Sequence, residues 1–208
     1  MSATAPAPVA PAAGFADPVH DAQATFSALM WAMAQPGRPV ALATRLAPPP
    51  PLSPELAAAA LALFDYETPV FLDAPLAAVP EVALFLRFHT GAPLVSEPAG
   101  ARFALVADAA HLPDLALFPQ GEPDFPDRSA TVIAAVETLS DAPLLLEGPG
   151  IAGTRGFGAA PLPGDFAARL RANRAVFPLG VDLILCAPGA VAGLPRSVRP
   201  LEPGSREG

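Results

Sequence analysis

The chain contains no lysine. Its 12 basic residues are all arginine, set against 20 acidic residues. Without a lysine amine no Schiff base with pyridoxal phosphate can form. Without a P-loop lysine a Walker A site is excluded as well. Cysteine is almost absent: Cys186 stands alone, so neither an intrachain disulfide nor a cysteine metal cluster can be built. The three histidines, His20, His89 and His111, are far apart and show no metal-ligand spacing. No Gly-x-Ser-x-Gly elbow occurs. The arginines are scattered and the formal net charge is −8. Nucleic acid and anionic membrane surfaces both need clustered cations, so neither is an expected partner. Met1 to Gly14 holds no cation and no continuous apolar core, unlike a signal peptide. The apolar run Leu56 to Phe64 falls far short of the ~20 residues needed to cross a bilayer. These absences predict a soluble, cytoplasmic protein with no cofactor and no metal.

What the chain has in quantity is alanine, leucine and proline. Hydrophobic residues make up 52% of 208 residues, enough for one ordinary core, and 29 prolines punctuate it. Many short elements and no long helix follow from that punctuation. Residues 1–14 read as a disordered Ala/Pro tail, 15–199 as one α/β domain and 200–208 as a loose tail. Asp17-Pro18 reads as a helix cap with proline at the first position. Val19, Phe26, Leu29, Met30 and Met33 then recur at helical spacing up to Pro36-Gly37. Ser53-Pro54 opens a second helix, Glu55 to Phe64, apolar on all sides. Burial in a layered core explains that helix; a subunit interface is the sharper alternative. Pro80 opens a third helix to about His89, and Asp165 to Val176 forms a fourth. Strands are predicted at 39–43, 68–72, 103–107, 131–136, 143–147, 181–186 and 191–194, with 131–136 and 143–147 adjacent. Residues 111–127 read as irregular. The alternation predicts three layers, α/β/α, around a central, largely parallel or mixed sheet with helices on both faces.

The motifs are few. Gly148-Pro149-Gly150-Ile151-Ala152-Gly153 matches G-x-G-x-x-G after a predicted strand. A dinucleotide site needs a helix next, and Pro161 and Pro163 argue for a plain turn. Arg87 and His89 close the third helix. They suit either an anion site, through a donor fork and a titratable donor, or complementation of the helix dipole. Asp182 enters the most apolar strand and could orient a partner or pair with local amides. Arg196, in Pro195-Arg196-Ser197, could hold phosphate or stand in solvent. Asp21 sits in the first turn of the first helix, where its charge is favourable. Arg87, His89, Asp182 and Arg196 are thus candidate anion-binding residues, and no complete catalytic set is present.

Several stretches, taken in order, resemble one family. They are Asp21-Ala22-Gln23 with Phe26, Met33 with Pro36-Gly37, and Thr68-Pro69-Val70. Then come Leu86-Arg87-Phe88-His89-Thr90 with Ala92-Pro93-Leu94-Val95, Phe177-Pro178-Leu179-Gly180-Val181-Asp182-Leu183-Ile184-Leu185, and Leu194-Pro195-Arg196. Over roughly residues 17–199 this pattern is similar to the H subunit of the bacterial carbon–phosphorus lyase system for phosphonates. The resemblance implies a fold like that of pyridoxal-phosphate-dependent transferases, without the cofactor. It implies work alongside the G, I, J and L proteins of that system. Together those subunits make ribose 1-methylphosphonate 5-triphosphate from a purine nucleoside triphosphate and methylphosphonate. It also implies a homodimer in isolation. A structural docking role and a direct phosphonate- or nucleotide-binding role both remain open.

Overall fold

A computed structural model describes residues 10–201; the disorder expected of residues 1–9 and the looseness expected of residues 202–208 lie outside it. The first helix, α1 (Pro18–Ala34), starts where Asp17 accepts the amides of Val19 and His20. The His20 amide and ring hold the Asp17 carboxyl below its ordinary value. At 17 residues α1 fills the span read between Asp17-Pro18 and Pro36-Gly37 and is longer than the proline content alone suggests. Its prolines sit at its first position and beyond its end, so none interrupts the hydrogen-bond ladder.

The strands are β1 (Val40–Ala41), β2 (Val70–Leu72), β3 (Leu94–Val95), β4 (Phe103–Val106), β5 (Gln120–Glu122), β6 (Phe125–Ser129), β7 (Thr131–Ala135), β8 (Thr138–Glu147), β9 (Arg155–Ala160), β10 (Asp182–Ala187), β11 (Ala190–Leu194) and β12 (Arg199–Pro200). A seven-stranded sheet runs β1-β11-β10-β7-β4-β2-β3. Strands β3, β2, β4, β7 and β10 are parallel, while β11 and β1 add antiparallel pairings at one side. This is the predicted mixed sheet.

Register explains the two cores. Leu72, Leu105, Ile133 and Ile184 are successive cross-strand partners, as are Ala104, Val132, Leu183 and Leu194. Side chains alternate across a strand, so the first row faces one layer and the second row the other. The first belongs to a core with α1, α2 (Pro54–Leu63) and α4 (Pro80–Thr90). Each such fully buried aliphatic side chain is worth roughly 1.5–3 kcal/mol. Between β2 and α4 lies a short helix that the sequence reading did not show, α3 (Ala74–Ala77), capped by Asp73. The first row ends at Gly193, opposite Ile184. A Cβ there would stand 2.7 Å from the Ala32 carbonyl oxygen, so glycine lets α1 lie on the strand.

Helix α2 settles its own ambiguity. Leu56 through Ala60 are fully buried, packed among α1, α4 and the sheet. Alanines let both neighbours close in, and the apolar circumference is spent inside the chain. Glu55 Oε1 accepts the Gly189 amide at 2.9 Å and pins the turn between β10 and β11.

The second face differs from expectation. A single helix, α5 (Phe166–Ala175), covers it together with a three-stranded sheet ordered β12-β8-β9. Strands β7 and β8 are therefore not neighbours in a sheet: β8 pairs with β9 and β12. The irregular stretch 111–127 begins at the end of one 3-10 turn, Ala109–His111, and holds a second, Leu115–Leu117, and most of a β5–β6 hairpin. Within the presumed tail of residues 1–14, Ala12 packs on the first core, as does Phe15 at the expected start of the domain.

Candidate functional site

The four candidate anion-binding residues fall in two separate places. Asp182 begins β10, and Arg196 follows β11, which is antiparallel to it. The topology brings the two together. The Arg196 amide donates to Asp182 Oδ1 at 2.8 Å, and Arg196 Nη2 lies 3.4 Å from Asp182 Oδ2. Arg196 Nη1 donates to the carbonyls of Pro126 at 2.5 Å and Gly180 at 3.3 Å. Both side chains are 18% exposed. The guanidinium thus ties the β5–β6 hairpin and the turn before β10 to a carboxylate. An incoming anion would meet a cation already neutralised and nearly covered. Asn173 reinforces the same turn, accepting the Val181 amide and donating to its carbonyl, each at 2.9 Å.

Arg87 and His89 occupy the last turn of α4. That helix is closed by other means. Gly91 takes the left-handed conformation, φ 72°, and its amide donates to the Arg87 carbonyl at 3.0 Å. The Thr90 hydroxyl donates to the Leu86 carbonyl at 2.7 Å. Arg87 is left exposed on the surface.

His89 has a role that no sequence signal shows. Its Nε2 lies 2.9 Å from the Ala12 carbonyl oxygen. A carbonyl can only accept, so Nε2 carries the proton. The ring is thereby fixed in orientation. It packs edge-on against Phe85 and Phe88, at centroid distances of 4.7 and 5.0 Å. A Cβ at Gly14 would stand 2.9 Å from ring atoms Cε1 and Nδ1. His89 therefore straps the segment leading into α1 onto α4.

The glycine-rich stretch at 148–153 is the turn between β8 and β9. A strand follows it, so no helix N-terminus is available for a pyrophosphate. A side chain at Gly150 would run into the Ala34 carbonyl; glycine serves close approach to the end of α1. Among the described residues no group of three His, Cys, Asp or Glu could hold a metal ion. Cys186 is buried against the sheet, and burial pushes its thiol far above the ordinary range. Burial also raises the Asp73 carboxyl; its oxygens accept the amides of Leu76 and Ala107, joining α3 to the end of β4. Asp17–His20 and Asp108–His111 are local pairs on the surface.

The feature whose face the sequence reading left unassigned lies on α1. Thr25, Ala28, Leu29 and Ala32 face the core. Val19, Phe26 and Met30, at i, i+7 and i+11, form one stripe on the solvent side, 64%, 47% and 51% exposed, and Trp31 is exposed as well. A groove of about 670 Å³ runs beside that stripe, lined in part by His20, Gln23, Phe26 and Ala62. The period-3.6 signal was present in the sequence, but only the fold shows which stripe the sheet takes.

Two comparisons bear on this arrangement. Residues 13–200 match the family model described as bacterial phosphonate metabolism protein (PhnH). The chain is also 42% identical, over 188 residues, to the alpha-D-ribose 1-methylphosphonate 5-triphosphate synthase subunit PhnH of Rhizobium meliloti (strain 1021). That alignment covers 89% of this chain and 92% of the relative.

Proposed function

The chain belongs to the PhnH family of bacterial phosphonate metabolism proteins, and from that premise we propose that it is a docking subunit of a ribose 1-methylphosphonate 5-triphosphate synthase. The synthase joins methylphosphonate to C1 of the ribose of a purine nucleoside triphosphate, breaking the C1–N bond and releasing the purine base, within the carbon–phosphorus lyase system. Partners are the G, I, J and L proteins of that system, and the stripe on α1 seats against the I protein. The observation that carries this reading is the exposed Val19–Phe26–Met30 stripe with Trp31. Large side chains aligned on one helix and left in water mark a partner surface. The closed Asp182–Arg196 pair adds support, because it takes two candidate ligands out of play.

The finer features follow the same reading. Residues 15–199 act as one domain, with a fold akin to the pyridoxal-phosphate-dependent transferases. The seven-stranded, mostly parallel sheet supports that kinship, and the missing lysine fits a version without the cofactor. The protein works in the cytoplasm; no helix among the described residues is long and apolar enough to cross a membrane. A direct anion-binding role is the second reading. Arg87, exposed in the last turn of α4, is what favours it; His89, Asp182 and Arg196 would contribute only by giving up present partners.

The test is co-purification of the tagged chain with the other subunits. A variant with Phe26→Glu and Met30→Glu should stay folded and lose the I protein. Retention of the I protein by that variant would sink the docking face. Size-exclusion chromatography of the isolated chain reads the predicted homodimer and shows whether the same face holds it.

A further inference from the structure

A second groove, of about 420 Å³, opens where the end of α1 meets the β8–β9 hairpin. Its walls include Arg38, Arg155, Thr154 and Asp141, with Gly37 and Gly156 between them. Two of the chain's few cations face one small space in a protein of net charge −8. They are far apart in sequence and are brought together by one residue. The Gln35 carbonyl accepts from Arg155 Nη1 at 3.3 Å, and Gln35 Oε1 accepts from Arg38 Nη1 at 2.6 Å. Arg155 Nη1 also reaches the Pro36 carbonyl at 3.2 Å. Among the described residues the hydrogen bonds of Arg155 leave from Nη1, so Nε and Nη2 are not spent on those carbonyls. No ion pair joins Asp141 to either arginine among the described residues, so the opposite charges share the groove without closing it.

We infer that this groove binds a small phosphorus oxyanion, a phosphate or a phosphonate, in a form that keeps at least one P–OH. The two guanidiniums and the Thr154 hydroxyl donate to the P–O oxygens, the arrangement for which arginine is best suited. Asp141 would repel a fully deprotonated anion. It accepts instead from a P–OH, which turns a repulsive wall into a selective one. Sulfate has the same shape and no such proton, so the groove discriminates against it. Gln35 is a positioning residue, since it orients both arginines without itself facing the groove. The inference is independent of the docking face on α1, and it uses none of Arg87, His89, Asp182 and Arg196.

The experiment titrates the full chain with inorganic phosphate, methylphosphonate, sulfate and ATP by calorimetry at about pH 6, where a P–OH proton persists. Phosphate and methylphosphonate should saturate one site, and sulfate should bind at least about tenfold more weakly, the scale of one lost charge-assisted hydrogen bond. Arg38→Gln should weaken phosphate about tenfold. That residue is on the surface, so the variant should fold; Arg155→Gln frees carbonyls at the end of α1 and is the weaker test. Asp141→Asn should narrow the gap between phosphate and sulfate. Equal binding of sulfate, unchanged affinity in Arg38→Gln, ATP binding without phosphate binding, or no saturable binding at all overturns the inference. Arg38→Gln should still co-purify with the I protein, which separates failure here from failure of the docking face.

Discussion

Arg196 and Arg87 carry the same charge to two regions that use it in opposite ways. At the mouth of β10, Arg196 is closed on Asp182, Gly180 and Pro126 and is nearly covered. At the end of α4, Arg87 stands exposed while Gly91 and Thr90 finish the helix. The first region is a joint: it fastens a hairpin, a turn and a strand. The second is a surface, strapped to the segment before α1 by His89 on Ala12. The difference teaches that an arginine beside a strand or helix end says little about ligands until its hydrogen bonds have been counted.

The sharpest break of the comparison is Arg196→Ala. It leaves the Asp182 carboxylate nearly buried without its cation and frees the Pro126 carbonyl. A loss of about 2–3 kcal/mol is expected in urea unfolding, somewhat below a fully buried pair because some solvent reaches both groups. Replacing both partners, Arg196→Met with Asp182→Leu, should cost less than the sum of the single changes, because no charge is stranded. A loss under about 0.5 kcal/mol for Arg196→Ala, the range of an ordinary surface change, would return Arg196 to the list of free anion ligands.

A smaller effect is expected from His89→Ala. The variant loses the hydrogen bond to Ala12 and the ring packing on Phe85 and Phe88. About 1–2 kcal/mol follows from those two contributions. The more telling readout is local: amides around Phe15 should exchange faster, while those of β7 and β10 keep their protection. Uniform loss of protection would show that His89 supports the whole core and not a strap.

The sequence carried the caps and the parallel strands, because those are signalled locally. Asp17-Pro18 and Ser53-Pro54 open α1 and α2 as read. The apolar runs at 131–136 and 181–186 became β7 and β10. What failed depended on distant partners. The buried face of α1 is built from Thr25, Ala28 and Ala32 around Leu29, because Gly193 lets the helix sit close and small residues fill the gap. The larger Val19, Phe26 and Met30 gave the stronger pattern and point outward. Strand β9 was missed because Gly156 and Gly158 lower strand propensity. The length of β8 was missed because Pro143 interrupts it, at a register shift between Ser140 and Leu144. Of the site, Asp182 and Arg196 were each legible, but their pairing needed β11 to run back along β10. Gln35 joining Arg38 to Arg155 had no sequence signal at all, since hydrogen bonds to carbonyls leave no residue pattern.

The smallest stability effect is expected at Arg87, and it bears most on function. Arg87→Gln removes an exposed side chain from a helix end that Gly91 and Thr90 already close, so stability should change by no more than about 0.5 kcal/mol. Growth on methylphosphonate, in cells lacking their own H subunit, then separates the two uses of a cation there. A docking subunit whose partner face is on α1 should support full growth with Arg87→Gln. If Arg87 grips a phosphonate or a nucleotide phosphate, growth should fail while the variant still folds and co-purifies. Arg87→Lys refines the result: it keeps the charge near the negative end of α4 and loses the planar donor fork. Growth with lysine but not glutamine would show that charge alone matters, whereas failure of both would assign Arg87 a bidentate ligand and make this surface, too, a joint.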